Sequence, residues 1–302
     1  MVSKLDLYRV FSQVAQSESF SKAARGLYLT QPAVSQSILQ LEEELDMRLF
    51  NRTPKGVTLT QEGKLLFDYV QSALNLIDSG EKKMQEFKTL TAGKIAIGVG
   101  DTISRHFLLP YLETFHTLYP DIKFKLVNGT TSELCRILKS GEIDVAVCNF
   151  PIEDTKLTLI PCEIVQDTFV YGEKYNKMFA SPVTLKELVK WPLIFLEQSS
   201  NSRRYIDQFM ASHGIEVAPE FELGSHELLL DFAKINLGIA CVTREFSEDY
   251  LASGILREVQ LIEQIPAREI GICYLKSVQL SPASMKFVEI IVNKQVDYFL
   301  QS

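Results

Sequence analysis

The sequence predicts an α/β multidomain chain: a small helical head with a β-hairpin, a long helix, and a two-lobed α/β body. Three observations carry this. The first 60 residues show three short helical patterns followed by a basic hairpin, residues 61–90 contain no proline and hold a 3.5-residue apolar repeat, and the remainder alternates apolar strands with helices. A length of 302 residues also exceeds what one core usually serves.

In the head, Leu5, Tyr8, Phe11 and Val14 recur every three residues with Leu7 and Val10 beside them, the stripe of an amphipathic helix. Ser21 is the expected cap of a short second helix, in which Ala23 and Ala24 allow close helix approach. Thr30 caps a third, Pro32 suits its first turn, and Val34, Ile38, Leu41 and Leu45 follow at helical spacing. Residues 48–60 read as two short strands around Pro54-Lys55-Gly56, a wing beside a helical trio.

Leu66, Val70, Ala73, Ile77, Gly80, Met84 and Phe87 alternate spacings of four and three, the seam of two helices packed lengthwise. A helix over this stretch reaches roughly 40 Å at about 1.5 Å per residue. Leu66, Val70, Ala73, Ile77, Met84 and Phe87 are thus the expected dimer contacts. Beyond Thr91-Ala92-Gly93, expected strands lie at 94–99, 122–127, 145–148, 193–196, 221–223, 239–242 and 269–275. Helices are expected at 103–118, 132–139, 202–213, 227–235 and 282–300. The pattern implies parallel β-α-β units, with the last strand and helix returning to the first lobe. The expected division is 1–60, 61–92 and 93–302, with lobe I at 93–165 and 267–302 and lobe II at 166–266.

Net charge is −7, which excludes coating nucleic acid by bulk electrostatics. Residues 1–60 are near balance, with cations at 22–25 and 48–55 placed for local contact if the acids at 42–46 face away. No secretory leader or membrane-length apolar run is seen, so a cytoplasmic chain with no membrane contact is expected. Five scattered cysteines without a C-x-x-C pair predict reduced, buried thiols, no disulfide framework, no metal and no cofactor.

A third helix in the major groove would offer Gln31, Ser35 and Gln36 to base edges, with Thr30, Pro32, Ser21 and Lys22 nearby. Arg48, Arg52 and Lys55 in the wing suit phosphates or the minor groove. On pattern alone, a solvated polar face explains the same residues equally well.

The run from Phe20 to Leu27, Thr30-Gln31-Pro32-Ala33-Val34-Ser35-Gln36-Ser37-Ile38, Leu49-Phe50-Asn51-Arg52, Val57-Thr58-Leu59-Thr60 and Glu62-Gly63 together resemble the N-terminal signature of LysR-type transcriptional regulators. Ser37 departs from the basic or amide residue many relatives carry there. The resemblance spans the chain, though it is specific over about the first 65 residues. It implies a winged helix-turn-helix, a long linker helix and a two-lobed α/β effector domain resembling periplasmic binding proteins. It also implies homodimers or homotetramers on double-stranded DNA, a small-molecule effector, and RNA polymerase as a further partner. The implied effector residues are Gly100, Asp101, Thr102, Thr130, Thr131, Asn149, Ser199, Ser200, Asn201, Ser202 and His226.

Several of these stand at helix starts, where N–H groups hold a carboxylate; each hydroxyl is also an ordinary N-cap. Asp101 either caps its own helix or faces the cleft. In the latter case it favours an amino-bearing ligand, or one whose acid end lies beside Ser199–Ser202 and Arg203. His226 is either a charge switch near neutral pH or a packed residue.

Three other readings compete. An enzyme would need a constellation, and no G-x-S-x-G elbow, P-loop, G-x-G-x-x-G fingerprint or H-E-x-x-H motif occurs. A solute-binding protein leaves the first 90 residues unexplained. A redox sensor would use Cys148 or Cys241.

Overall fold

The computed structural model describes residues 4–53, 56–88 and 93–299. It divides into an N-terminal unit holding residues 1–85 with 139–142, and a unit formed by the rest.

In the first unit, α1 (Lys4–Ser17), α2 (Phe20–Gly26) and α3 (Gln31–Leu45) are followed by β1 (Phe50–Thr53) and β2 (Gly56–Leu59). The strands pair antiparallel, Phe50 opposite Leu59. The α1 stripe is centred on Leu7, Val10, Phe11 and Val14, while Leu5 faces solvent. Ser19 caps α2 by accepting from the Lys22 N–H; Ser21, the expected cap, sits exposed inside the helix. Thr30 caps α3 as expected, accepting from the Ala33 N–H at 3.4 Å. Val34, Ile38 and Leu41 join Phe11, Leu49, Phe50 and Val57 in one core. The Glu42 carboxylate does not face away: it accepts the Leu49 and Phe50 N–H groups at 2.7 and 3.2 Å, fastening the wing to α3.

The long helix α4 runs Gln61–Lys88. Thr60 caps it, accepting from the Gly63 N–H at 2.9 Å. A Cβ at Gly63 would stand 2.2 Å from the Leu49 carbonyl oxygen, so only glycine lets the helix start this close to the hairpin. Leu66, Phe67, Val70 and Leu74 pack on the head's own core, with Val70 6 % exposed. The expected seam is therefore corrected at its first two positions: Leu66 and Val70 are already covered by their own chain. Leu65, Tyr69, Ala73 and Met84 are exposed instead, and Ile77 is half-buried. The Phe87 side chain, Pro54, Lys55 and the side chain of Arg52 lie outside the described residues.

The second unit holds two five-stranded sheets. In one the order is β4 (Lys123–Val127), β3 (Lys94–Val99), β5 (Val145–Asn149), β12 (Arg268–Leu275), β6 (Leu157–Val165). The other runs β11 (Arg257–Glu258), β7 (Asp167–Tyr171), β10 (Ile239–Thr243), β8 (Leu193–Leu196), β9 (Phe221–Leu223). The β-α-β strands pair parallel, as the alternation implied. β12 lies antiparallel between β5 and β6, and β7 lies antiparallel to β10 and β11. The sheets are mixed because the two crossings between lobes each deliver a strand running backwards.

The first sheet is covered on one side by α6 (Leu109–Leu118) and α12 (Pro282–Phe299), where Phe115, Phe124 and Phe287 stack edge to face. Its other side is covered by α7 (Thr131–Lys139). The second sheet carries α9 (Asn201–Ser212) on one face and α10 (His226–Lys234) on the other. Two short helices, α8 (Leu185–Leu188) and α11 (Glu248–Ala252), complete it. Between β3 and α6, α5 (Asp101–Ile103) passes into a π-turn at Ser104–Leu108, a feature common near functional sites.

Candidate nucleic-acid interface and ligand cleft

On the head, the N-terminal turn of α3 presents Gln31, Pro32 and Gln36 to solvent, with Ser35 half-buried. The Gln31 Nε2 donates to Ser35 Oγ at 3.0 Å, which orients the amide along the helix face. Lys22 and Arg48 are exposed. Tyr28, passed over in the sequence, stands 96 % exposed in the turn before α3 with φ of 55°. The only signal for it was an aromatic residue in a turn too short to bury it.

The second unit has a cavity of about 290 Å³ where the C-terminal ends of its parallel strands meet. That is near the lower size for small-molecule sites, roughly 300 Å³. Gly100, Asp101 and Thr102 after β3 line it, as do Thr130, Thr131 and Asn149 from the first sheet. From the second come Ser199, Ser200, Asn201, Ser202 and His226. All eleven sequence candidates thus share one cavity, with further lining groups that the sequence did not signal: Glu133, Glu197, Glu227, Thr243, Phe246 and Arg268.

The local roles differ. Glu133 accepts from both the Thr130 N–H and hydroxyl, at 2.8 and 2.9 Å, so Thr130 closes the first turn of α7, and these bonds hold the Glu133 carboxyl below its usual range. Ser200 caps α9 by position but makes no side-chain cap bond, leaving its hydroxyl available beside the helix start. Gly100, not Asp101, occupies the cap position of α5; Asp101 is exposed on the cavity wall. Arg203 is corrected as a cleft cation. It is buried, donating to Asp207 at 2.8 Å and to the Leu196 carbonyl at 2.9 Å.

Beneath the cavity, buried Arg268 grips Asp167 through two nitrogens and also donates to Asn149 Oδ1 and Thr243 Oγ1. Among the described residues the one lining cation, Arg268, is therefore already neutralised, whereas Asp101, Glu133, Glu197 and Glu227 line the cavity too, Glu227 with Arg105 at 3.7 Å. Between the lobes, Asn201 Nδ2 donates to the Asn149 carbonyl at 2.8 Å and Arg204 to Ser132 Oγ at 2.9 Å.

His226 is 2 % exposed. Its Nε2 accepts the Thr243 N–H at 3.2 Å, which puts the neutral ring's proton on Nδ1; among the described residues Nδ1 has no partner. Burial pulls its pKa down to about 4, so of the two readings the packed residue fits and the switch near neutral pH does not: the ring is uncharged there. Cys148 and Cys241 are buried, with thiols held well above their ordinary pKa, Cys148 mainly by hydrogen bonding to Cys135 and Cys241 by burial. Neither is the exposed thiolate that peroxide sensing needs.

Comparison with known proteins follows the same division. Residues 5–64 match the model of the bacterial regulatory helix-turn-helix protein, lysR family, and residues 88–295 match the LysR substrate binding domain. A probable RuBisCO transcriptional regulator of Guillardia theta is 28 % identical over 274 residues, covering 89 % of this chain and 88 % of that one. Full-length CbnR complexed with its target DNA superposes with a TM-score of 0.65 at 17 % identity, over 97 % of this chain and 100 % of that one. The effector binding domain of QuiR in complex with shikimate gives 0.60 at 20 % identity, over 68 % and 98 %. No helix among the described residues is long and apolar enough to cross a membrane. The matched models, one of them over most of the chain, show that this protein belongs to the LysR family of DNA-binding transcriptional regulators.

Proposed function

We propose that the chain acts as a homodimer whose α3 helices and wings read double-stranded DNA, controlled by a small molecule bound in the cavity between the two sheets. Gln31, Ser35 and Gln36 are assigned to base edges; Thr30, Ser21, Lys22, Arg48, Arg52 and Lys55 to the phosphate backbone. The α4 face of exposed Leu65, Tyr69, Ala73 and Met84 with half-buried Ile77 forms the dimer contact.

The observation carrying effector control is the buried Nδ1–H of His226, which lines the cavity without a partner among the described residues. A lone buried donor costs free energy until an acceptor reaches it. Four carboxylates line the cavity, one of them, Glu227, facing Arg105 at 3.7 Å, and among the described residues the lining cation Arg268 is already paired, a balance that selects an amino-bearing ligand. A short acid end is accommodated at the start of α9, where Ser200, Asn201 and Ser202 supply N–H groups and hydroxyls.

The test is a gel shift with the DNA upstream of the protein's own gene, followed by a thermal-shift screen of amino-bearing metabolites on the same protein. A competitor-resistant complex whose affinity changes with a stabilising metabolite supports the reading. A complex indifferent to every stabilising ligand contradicts effector control. Repeated failure on genome-wide selected fragments contradicts the assignment of the DNA-reading residues.

A further inference from the structure

Three of the five cysteines meet on the far side of the first sheet from α6 and α12. Cys135 comes from α7, Cys148 from β5 and Cys273 from β12, and their sulfurs all lie within 4.8 Å of one another. The Cys273 thiol donates to Cys148 Sγ at 4.0 Å. Two neighbouring elements and a strand whose cysteine lies 125 residues after Cys148 thus converge their only thiols on one point.

With bonds of about 2.3 Å, three sulfurs around one ion stand roughly 3.5 to 4.0 Å apart, from pyramidal to planar geometry. From the 4.8 Å limit the thiols draw in by at most about 1.3 Å to reach the pyramidal spacing, and the Cys148–Cys273 pair, at 4.0 Å, by about 0.5 Å. Cys148 and Cys273 are 1 % and 0 % exposed; Cys135, at 8 %, lies on the outer helix and gives the access.

The surroundings decide the ion. Leu134, Leu138, Ile143, Ala146 and Leu157 pack with the three cysteines, and the charge that acts on Cys273, that of Asp154, is negative. Three thiolates around a divalent ion leave one negative charge in this apolar site, and around a monovalent ion two; both are disfavoured where water cannot reach. A trivalent ion leaves none. Soft sulfur donors also favour a soft acceptor.

We propose that Cys135, Cys148 and Cys273 form a binding site for a trivalent thiophilic metalloid, taken up as the neutral trihydroxide such as arsenous acid. Three As–O bonds break and three As–S bonds form, and each hydroxide leaves as water with the proton of one thiol. Arsenic remains trivalent, no electron moves, and no net charge is created.

The experiment uses the full, reduced chain with sodium arsenite in an excess of reduced glutathione, read by native mass spectrometry. One arsenic per chain with loss of three hydrogens is expected. The Cys162→Ser/Cys241→Ser double variant should retain it, and Cys135→Ser, Cys148→Ser and Cys273→Ser should each lose it. Arsenic-edge X-ray absorption of the wild-type chain, which requires no variant to fold, should show three sulfur neighbours and no oxygen. Absence of uptake, residual As–O bonding, uptake surviving in the three single variants, or binding of zinc or copper(I) in preference to arsenite each overturns the proposal.

Discussion

Replacing Arg268 by methionine should unfold the effector unit far more readily than the loss of one surface charge would. The Arg268 and Asp167 side chains are 2 % and 3 % exposed, and the guanidinium contacts Asp167 through both Nε and Nη2. Its other bonds go to Asn149, in the first sheet, and Thr243, in the second. Methionine fills much of the volume but leaves the Asp167 carboxylate buried with, among the described residues, only the Thr243 hydroxyl donating to it, at 3.1 Å. Stranding one member of a buried pair costs about 3–5 kcal/mol, whereas replacing both with apolar groups is often near neutral.

Arg268→Met should therefore lose about 3–5 kcal/mol, and Arg268→Met/Asp167→Leu should recover most of it. The single tryptophan, Trp191, packs edge-on against Tyr175 and Phe179 and reports the second sheet's core in urea melts of the full chain. A single variant within about 1 kcal/mol of wild type, or a double variant no better than the single, would refute the view that an isolated carboxylate is what the structure cannot tolerate.

Other expectations follow from named contacts. Gly63→Ala should destabilise the head by more than 2 kcal/mol, about the range for core overpacking, because the added carbon would meet the Leu49 carbonyl at 2.2 Å; a melt within experimental error of wild type counts against the close approach. Val70→Asp should unfold the head, while Tyr69→Asp should leave it folded and shift the dimer towards monomer in ultracentrifugation; the reverse pattern would restore the seam read from periodicity. His226 has its folded pKa depressed to about 4 from 6.5, so the unfolded chain binds the extra proton between those values. Stability therefore falls as pH drops from about 6.5 to 4, by about 3 kcal/mol relative to His226→Gln; parallel pH profiles for the two proteins would remove the histidine from the account. Gln31→Ala should alter base preference by about 1–3 kcal/mol at one operator position; equal weakening on every sequence would assign Gln31 to the backbone instead.

Elements were legible where a local pattern sufficed. Thr30-Gln31-Pro32 announces a cap and first turn without reference to anything distant, and the apolar run of β5 can only be a buried strand. What was not legible depends on partners far along the chain. Ser19 and Ser21 are equally good caps on paper, and the choice of Ser19 follows from where α1 ends and the chain turns. The α4 repeat correctly gave a long helix, but periodicity does not say whether an apolar side chain meets a second chain or its own head. Leu66 and Val70 satisfy the repeat and face inward because the head's core, assembled from α1, α3 and the wing, needs a lid. Strand direction was hidden similarly: nothing within Arg268–Leu275 reveals that it will run antiparallel between β5 and β6.

The cleft shows the same boundary more sharply. The eleven cleft residues could be named because the family resemblance implied where the pocket lies, and all eleven line one cavity. Charge could not be treated so. Arg203 looked like a counter-ion by proximity to Ser199–Ser202, yet it is buried against Asp207 and the Leu196 carbonyl and does not line the cavity. Arg268 lay at the unremarked first position of a strand, yet it occupies the floor of the cavity and is neutralised by an aspartate 101 residues away. The amino-bearing ligand proposed for this cleft rests on which carboxylates keep a cation after folding, as Glu227 keeps Arg105 at 3.7 Å, a property of assembled pairs. A sequence scan counts charges; the cleft responds to those left over after pairing.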